Sequence, residues 1–404
     1  MAPALPPETL SFGCRLNSAE AESMATLAAA GGLSNALIVN TCAVTAEAES
    51  QARQAIRRAA REQPGRPIIV AGCAATLAPA TWAALPGVAR VLGNPEKLLP
   101  ESWGAPESPT PPAATRARAR AFLEVQQGCD HHCTFCVIRV ARGASRVWAM
   151  KDVLGATRQA VARGQVEVIL TGVDLASWRE GSAGLAALVR ACLGVPGLAR
   201  LRLSSLDPAA VGAELLALWR GEARLAPFLH LSAQHGDGLI LKRMRRRHGP
   251  ETVPELAAAA RAARPDMAMG ADLIAGFPTE EEGHHAASLA LVEALRPAQL
   301  HVFPYSARPG TAAARLPALP PPLVAARAAQ LREAGQRHAR VAAAARIGLV
   351  EQAIFDSMTE ATTAQGLRLR LSRGEVPRGT LRAVRVVGTD GAVLLAEEAQ
   401  NGVA

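Results

Sequence analysis

The sequence predicts an α/β protein in three parts: a parallel-sheet α/β segment, a second α/β segment open or curled into a partial barrel, and a small all-β barrel at the C-terminus. Three observations carry this. The first hundred residues repeat a short apolar run that ends in cysteine and leads into a helical pattern. From about residue 121, apolar runs alternate with helical stretches rich in Ala, Leu and Arg, the pattern of a parallel sheet with right-handed crossovers. Beyond about residue 340 only short strands separated by Gly turns remain. The 404 residues are enough for two to four domains at roughly 100–200 residues each. With 49% apolar and 20% charged residues, disorder along the whole length is excluded. Aromatics are 3%, so the core must come from Ala, Leu and Val. The net charge is +9, and 41 of 44 basic residues are Arg. That balance is compatible with an anionic partner such as nucleic acid, although a biased genomic base composition gives the same skew.

In the first segment LSFGC ends at Cys14, ALIVNTC at Cys42 and PIIVAGC at Cys73, with separations of 28 and 31 residues, about one βα unit each. Parallel strands place their carboxyl ends on one edge of a sheet, where α/β proteins bind ligands, so three cysteines there can converge. A single such cysteine would read as a buried core thiol; three in successive units favour a site. Residues 67–89 carry no charge and are long enough to span a bilayer, but Pro67, Pro79, Pro86 and Gly72-Cys73 interrupt them. A strand and a short helix are expected there, and no membrane association. The N-terminus has neither a basic region nor an apolar stretch, so no signal peptide is expected and the protein is placed in the cytoplasm. In that reducing compartment spaced cysteines read as metal ligands or catalysts rather than disulfides.

The boundaries expected are 1–99 for the first domain, 100–120 for a Pro-rich linker with a basic end, 121–338 for the second domain and 339–404 for the barrel. Strand candidates in the second domain are AFLEVQ, VEVILTG, ARLRLSS, PFLHLSAQ, MGADLIAGF and QLHVFPYS. A helix should run to about Arg346, followed by strands in EQAIFDSM, GLRLRLS, TLRAVRVVG and AVLLAEE. Arg368, Arg370, Arg373, Arg378, Arg382 and Arg385 mark this last part as either a solvated strand face or an RNA-binding surface. Cys192 lies in a helical pattern and reads as a core thiol, and LKRMRRRH (Lys242 to His248) as a basic run on a helix.

The densest chemistry is CDHHCTFC, with Cys129, Cys133 and Cys136 directly after the strand AFLEVQQG. Three thiolates so spaced can wrap one face of a four-iron cube and leave one iron open. A structural zinc site with His131 or His132 is the rival, but zinc sites usually pair two ligand pairs across a dozen or more residues, and no second pair follows. The gaps, with Phe135 before the last cysteine, fit the radical S-adenosylmethionine signature.

On these motifs nearly the whole chain resembles the radical S-adenosylmethionine methylthiotransferases. The resemblance implies a parallel-sheet α/β domain, a radical SAM partial (β/α) barrel and a TRAM-like RNA-binding barrel. It implies two [4Fe-4S] clusters, one on Cys129, Cys133 and Cys136 and an auxiliary one on Cys14, Cys42 and Cys73. S-adenosyl-L-methionine is the cofactor, and Thr171, Gly172, Ser204, Ser205, Gln234 and Asp272 are carried over as its contacts. Asp207, Ser232 and the block around Gly276, Phe277 and Pro278 resemble further stretches at the same mouth. The chain departs from the family at Arg139, where relatives carry proline, and at His235, where a small polar residue is usual.

Three branches modify isopentenyladenosine in tRNA, a ribosomal-protein aspartate, or threonylcarbamoyladenosine beside the anticodon. GCRLNSAE and NTCAVT (Gly13 to Glu20, Asn40 to Thr45) resemble the third. The expected reaction is methylthiolation of C2 of N6-threonylcarbamoyladenosine at position 37 of tRNA, with isopentenyladenosine or the aspartate as alternatives. A zinc-stabilised RNA-binding protein is the non-enzyme alternative. Partners implied are the tRNA anticodon loop, an electron donor and a sulfur source. Cleaving the strong C2–H bond calls for a cofactor radical, so no catalytic side chain is expected beyond the cluster ligands. A carboxylate-bearing N6 group calls for a cation at the mouth, with Arg308, Arg142 and Arg139 as candidates.

Overall fold

The computed structural model describes residues 7–13, 15–106 and 119–399. Four parallel strands, β1 (Glu8–Ser11), β2 (Leu37–Thr41), β3 (Ile68–Gly72) and β4 (Val88–Leu92), lie side by side in chain order. The first three are the predicted cysteine-ended runs. The fourth is a strand that the sequence pattern does not predict: VARVL carries Arg90 and is largely exposed, as an edge strand permits. Every residue of β2 and β3 is buried between helix layers, which explains their unbroken apolar sequence. Two short helices, Cys73–Leu77 and Pro79–Ala83, follow β3, so the uncharged stretch is a strand and broken helix. Among the described residues no helix is long and apolar enough to cross a membrane. Residues 107–118 of the expected linker lie outside the described residues; its start packs back, with Trp103 buried in the same cluster as Met24 and Ile38.

The second part begins with β5 (Arg120–Gln127). A two-residue antiparallel edge strand β6 (Arg146–Val147), β7 (Glu167–Gly172), a short hairpin of β8 (Arg179–Glu180) and β9 (Ala183–Gly184), and β10 (Arg200–Leu203) follow. Then come β11 (Phe228–Gln234), β12 (Ala268–Ala275) and β13 (Gln299–Pro304). The six principal strands are those predicted. They pair in parallel as β10–β7–β5 and β11–β12–β13, and a parallel bridge between Leu206 and Leu231 spans the two halves. Side chains alternate across each strand. Leu123, Leu170, Leu203, Leu229, Leu231, Ala271 and Leu273 join helix residues such as Leu188, Ala257 and Val292 in one large cluster. The opposite face therefore lines the lumen of a partial barrel. Cys192 is fully buried in this cluster, and burial pushes its thiol up to about 11.

The helix Pro321–Ala344 leads to a closed five-stranded barrel of β14 (Val350–Phe355), β15 (Glu360–Thr363), β16 (Arg368–Leu371), β17 (Leu381–Asp390) and β18 (Val393–Glu398). The sequence pattern does not reveal β15, whose EATT is polar and only four residues long. Leu369, Leu371, Val384 and Val386 fill the barrel, while all six arginines singled out above are exposed. The barrel docks under the amino ends of the core strands. Arg202 donates to the carbonyls of Thr363 (3.2 Å) and Ala364 (2.9 Å), Arg200 to that of Gln352 (2.9 Å), and Arg120 pairs with Asp356. Glu167, buried among Arg120, Arg200 and Arg202, balances the cations on the core side.

Candidate functional site

The loop carrying Cys129, Cys133 and Cys136 leaves the carboxyl end of β5 through Gly128, whose φ is +70°. A Cβ there would collide with the carbonyl of Ala144, so glycine is required. The loop is then held on several sides. Cys129 N–H donates to Gly143 O (3.1 Å), and Thr134 donates from its amide to Met244 O (3.2 Å) and from its hydroxyl to Arg243 O (2.8 Å). His131 pairs with Asp174 at 2.7 Å, tying the loop to the segment after β7. Each sulfur accepts a hydrogen bond: Cys129 from the His131 amide (3.4 Å), Cys136 from the Ile138 amide (3.4 Å) and Cys133 from Arg246 Nη1 (3.5 Å).

Burial pushes the Cys129 thiol up to about 11 and the Cys136 thiol up to about 12. Neighbouring thiols add to both shifts: Cys133 acts on Cys129, and Cys133 and Cys129 act on Cys136. Half-buried thiols that oppose one another's ionisation form a donor set suited to a cationic metal, which reverses the direction of each shift. The donor chemistry and the N–H···S bonds fit an iron–sulfur cluster, whose potential such bonds tune.

Most residues carried over for the cofactor stand at the carboxyl ends of core strands. Thr171 and Gly172 end β7, and a Cβ on Gly172 would touch Gln126 at 3.0 Å, so two strands approach closely there. Ser204 and Ser205 follow β10; the Ser204 hydroxyl is buried with no hydrogen-bond partner among the described residues. Gln234 ends β11 with φ +68°. Asp272 stands apart: it lies mid-strand in the lumen, accepting from His230 Nε2 (2.9 Å) and His301 Nδ1 (3.0 Å). Although burial opposes it, these two imidazoles hold its carboxyl well below the usual range.

The run Lys242 to His248 is not one helix. The helix Gly238–Arg243 ends, and Arg245 turns through φ +57°. Arg246 and Arg247 then reach Asp207 at 3.1 and 3.2 Å, and a cavity lined by Asp130, His131, His132, Cys133, Asp207 and the three arginines opens beside the cysteine loop. Burial opposes ionisation of Asp207, but Arg246 and Arg247 lower its carboxyl overall. Of the three arginines expected to receive a carboxylate, two are buried in ion pairs. Arg308 holds Glu49 (2.7 Å), and Arg142 holds Glu20 (2.7 Å). Arg139 is exposed and lies against the His132 ring. His235 is buried against Glu280 at 3.2 Å.

Cys42 and Cys73 follow the adjacent strands β2 and β3 and are both buried. Cys14 lies outside the described residues. Its neighbour Gly13, at φ +92°, is placed so that a Cβ would lie 2.5 Å from Cys42 Sγ. Gly72 before Cys73 also has positive φ, and a Cβ there would collide with Thr41. Thus Gly13, Gly72 and Gly128 each turn the chain sharply just before a cysteine. Arg142, on the helix Ile138–Arg142 that follows Cys136, donates to Cys73 Sγ (3.2 Å), Gln127 Oε1 (2.6 Å) and Asn17 Oδ1 (2.7 Å). Lys97 completes the buried Glu20 pair at 2.6 Å. Sequence reasoning missed Lys97 and Asp174, because their partners are far away in the chain, and it marked Glu20 only as the end of GCRLNSAE.

Residues 123–292 match the Radical SAM superfamily, and residues 8–93 match a family described as Uncharacterized protein family UPF0004. A solved cobalamin-dependent S-adenosylmethionine radical enzyme, OxsB, shares the fold at a TM-score of 0.50 with 11% identity, over 83% of this chain and 56% of that one. Fold and sequence match together define a radical S-adenosylmethionine enzyme, a class that uses S-adenosylmethionine and a [4Fe-4S] cluster. Among relatives, the threonylcarbamoyladenosine tRNA methylthiotransferase MtaB of Rickettsia prowazekii is 40% identical over 81% of this chain and 82% of its own. The tRNA-2-methylthio-N(6)-dimethylallyladenosine synthase of Paracoccus denitrificans is 33% identical over 76% of each. The chain belongs to the radical S-adenosylmethionine methylthiotransferase family.

Proposed function

We propose that this protein methylthiolates C2 of N6-threonylcarbamoyladenosine at position 37 of tRNA, in the cytoplasm. The observation that carries this reading is the junction of two cysteine groups at strand ends: Arg142, six residues beyond Cys136, reaches the sulfur of Cys73. Cys129, Cys133 and Cys136 hold one [4Fe-4S] cluster, and Cys14, Cys42 and Cys73 the second. When bound, the first supplies the one-electron cleavage of S-adenosylmethionine that an unactivated aromatic C–H bond requires. The chain's own groups bind and orient. Thr171, Gly172, Ser204, Ser205 and Gln234 face the methionyl and ribose groups at the strand ends, and Arg246 fixes the Cys133 arm of the loop. Arg142 fixes the Cys73 arm, so that the two sulfur-bearing edges open on one space. A single-stranded anticodon loop lets the adenine leave its stack cheaply, and the exposed arginines of the C-terminal barrel hold phosphates. A one-electron donor and a sulfur source complete the partners.

The substrate branch rests on GCRLN and NTCAVT, with the 40% identity to the Rickettsia enzyme in support. The test is in vitro: reconstituted protein, a reductant, S-adenosylmethionine, sulfide, and anticodon stem-loops bearing either threonylcarbamoyl- or isopentenyladenosine. Methylthiolation of the first RNA alone is expected. Methylthiolation of the isopentenyl RNA alone would leave the chemistry standing and overturn the branch.

A further inference from the structure

The lumen of the partial barrel holds a polar relay that the chemistry at the clusters does not use. On the lumen face of β11, β12 and β13 lie His230, Asp272 and His301, with Asp272 directly across from His301 in the parallel register. Asp272 Oδ1 accepts from both imidazoles, at 2.9 and 3.0 Å, and the Ser232 hydroxyl approaches Oδ2 at 3.5 Å. The relay has a closed end and an open end: the side chains of His230 and Asp272 are 8% and 18% exposed, that of His301 51%. Because His301 engages Asp272 through Nδ1, its Nε2 is without a partner among the described residues on a half-exposed side chain.

The relay is wired to the cysteine loop. The carbonyl of Ser232 accepts from Arg246 Nη2 (3.0 Å), whose other amino group reaches Cys133 Sγ. Above His301 are Phe303 on the same face of β13 and Tyr305 just past its end. The His301 and Phe303 rings meet edge-on at 6.4 Å, and Phe303 and Tyr305 pack in one cluster with Phe135 of the cysteine loop. The Tyr305 hydroxyl is buried with no partner among the described residues. Below, Gln299 donates to the Gly366 carbonyl of the C-terminal barrel. From Tyr305 to His301 is about 13 Å at about 3.3 Å per residue. That length accommodates a purine stacked on the aromatic rings with its substituent directed down the lumen, away from the cysteine loop.

We propose that His301, oriented by Asp272 and His230, is the residue that reads the N6 substituent, and that it selects a hydrogen-bonding, carboxylate- and hydroxyl-bearing group over an apolar prenyl group. This rests on the substrate reading above. A polar substituent replaces the water displaced from His301 Nε2; a prenyl chain leaves that nitrogen desolvated and unpaired, which a polar site penalises strongly. His301 is thus a specificity residue on the lumen side, apart from Arg142, whose guanidinium is already taken up by Glu20, Gln127, Asn17 and Cys73.

The test compares binding of two anticodon stem-loops, one with threonylcarbamoyladenosine and one with unmodified adenosine at position 37, to cluster-loaded wild type, His301→Phe and His301→Gln. Wild type should prefer the modified RNA by roughly tenfold to a hundredfold, the range of one or two hydrogen bonds to a charged group. His301→Phe should bring the two affinities within about twofold by weakening the modified RNA alone, and His301→Gln should keep part of the preference. A preference unchanged in His301→Phe, or an equal loss for both RNAs, would overturn the inference. A wild type that binds the two RNAs alike would instead count against the substrate reading itself.

Discussion

Arg142 Nε lies 3.2 Å from Cys73 Sγ, so a side chain anchored just after the CDHHCTFC loop touches a cysteine of the N-terminal sheet. The same guanidinium neutralises the buried Glu20 and fixes Asn17 and Gln127. Replacing it by Gln leaves the Glu20 carboxylate with Lys97 as its one cationic partner among the described residues. Breaking such a buried pair costs about 3–5 kcal/mol, so Arg142→Gln should melt well below wild type. It should also alter the electron paramagnetic spectrum of the second cluster proposed at Cys73, and loss of a nearby positive charge should lower that cluster's midpoint potential. A spectrum and potential identical to wild type would show that the role of Arg142 is structural only.

Glu124 should give the fold a distinctive pH response. Burial, reinforced by the Glu20 carboxylate, raises its carboxyl to about 8, against an ordinary 4.5, and its Oε2 is buried without a partner among the described residues. The folded state therefore binds this proton more tightly than the unfolded chain. The stabilisation is full below about 4.5 and is lost as pH rises towards about 8. Glu124→Gln, which cannot ionise, should flatten that part of the stability curve and melt above wild type at pH 8. Parallel melting curves for the two proteins from pH 5 to 8 would refute this.

The two cysteine sets should separate chemically. Wild type reconstituted without oxygen should carry about eight irons, and the triple Ala variant of Cys14, Cys42 and Cys73 about four, with S-adenosylmethionine cleavage retained. The triple Ala variant at Cys129, Cys133 and Cys136 should lose cleavage. Iron near four in the wild type would remove the second cluster from the proposal.

RNA affinity should depend on the outer face of the C-terminal barrel. Removing the whole barrel is a poor test, since it would uncover Arg200, Arg202 and Glu167. Changing Arg368, Arg378 and Arg382 to Gln should instead leave the fold intact, because all three are exposed. It should weaken tRNA binding and reduce the slope of log affinity against log salt by about one unit for each phosphate the variant no longer neutralises. An unchanged slope would shift phosphate binding to Arg245 and Arg247 beside the cysteine loop.

All six principal core strands were legible in the sequence because their helix-facing positions carry an alternating or continuous apolar pattern that tolerates no other reading. The edge strand Val88–Leu92 and the polar β15 escaped because neither buries enough apolar surface to show a period. Lys242 to His248 misled for a related reason: charge alone reads as a solvated helix face, whereas Arg246 is drawn inward by Asp207, 39 positions earlier. The cysteine motifs were legible as local spacing. Their supports were not, since Glu20, Lys97 and Arg142 meet across more than 70 residues of chain. The branch motifs gained a physical meaning that spacing did not supply. Asn17 donates to Phe12 and Thr41 carbonyls, Asn40 to that of Asn17, and Thr45 caps the helix Ala46–Glu62. They shape the strand ends, whereas the residue proposed to read the substituent, His301, lies in the lumen.

The substrate assignment is tested most directly by nucleoside mass spectrometry of total tRNA from cells with and without this gene. Deletion should abolish 2-methylthio-N6-threonylcarbamoyladenosine and accumulate its unthiolated precursor, while any 2-methylthio-isopentenyladenosine stays constant. Restoring the gene should return the product, and restoring it with Cys133→Ala should not. Loss of the isopentenyl product with the threonylcarbamoyl product unchanged would contradict the assignment.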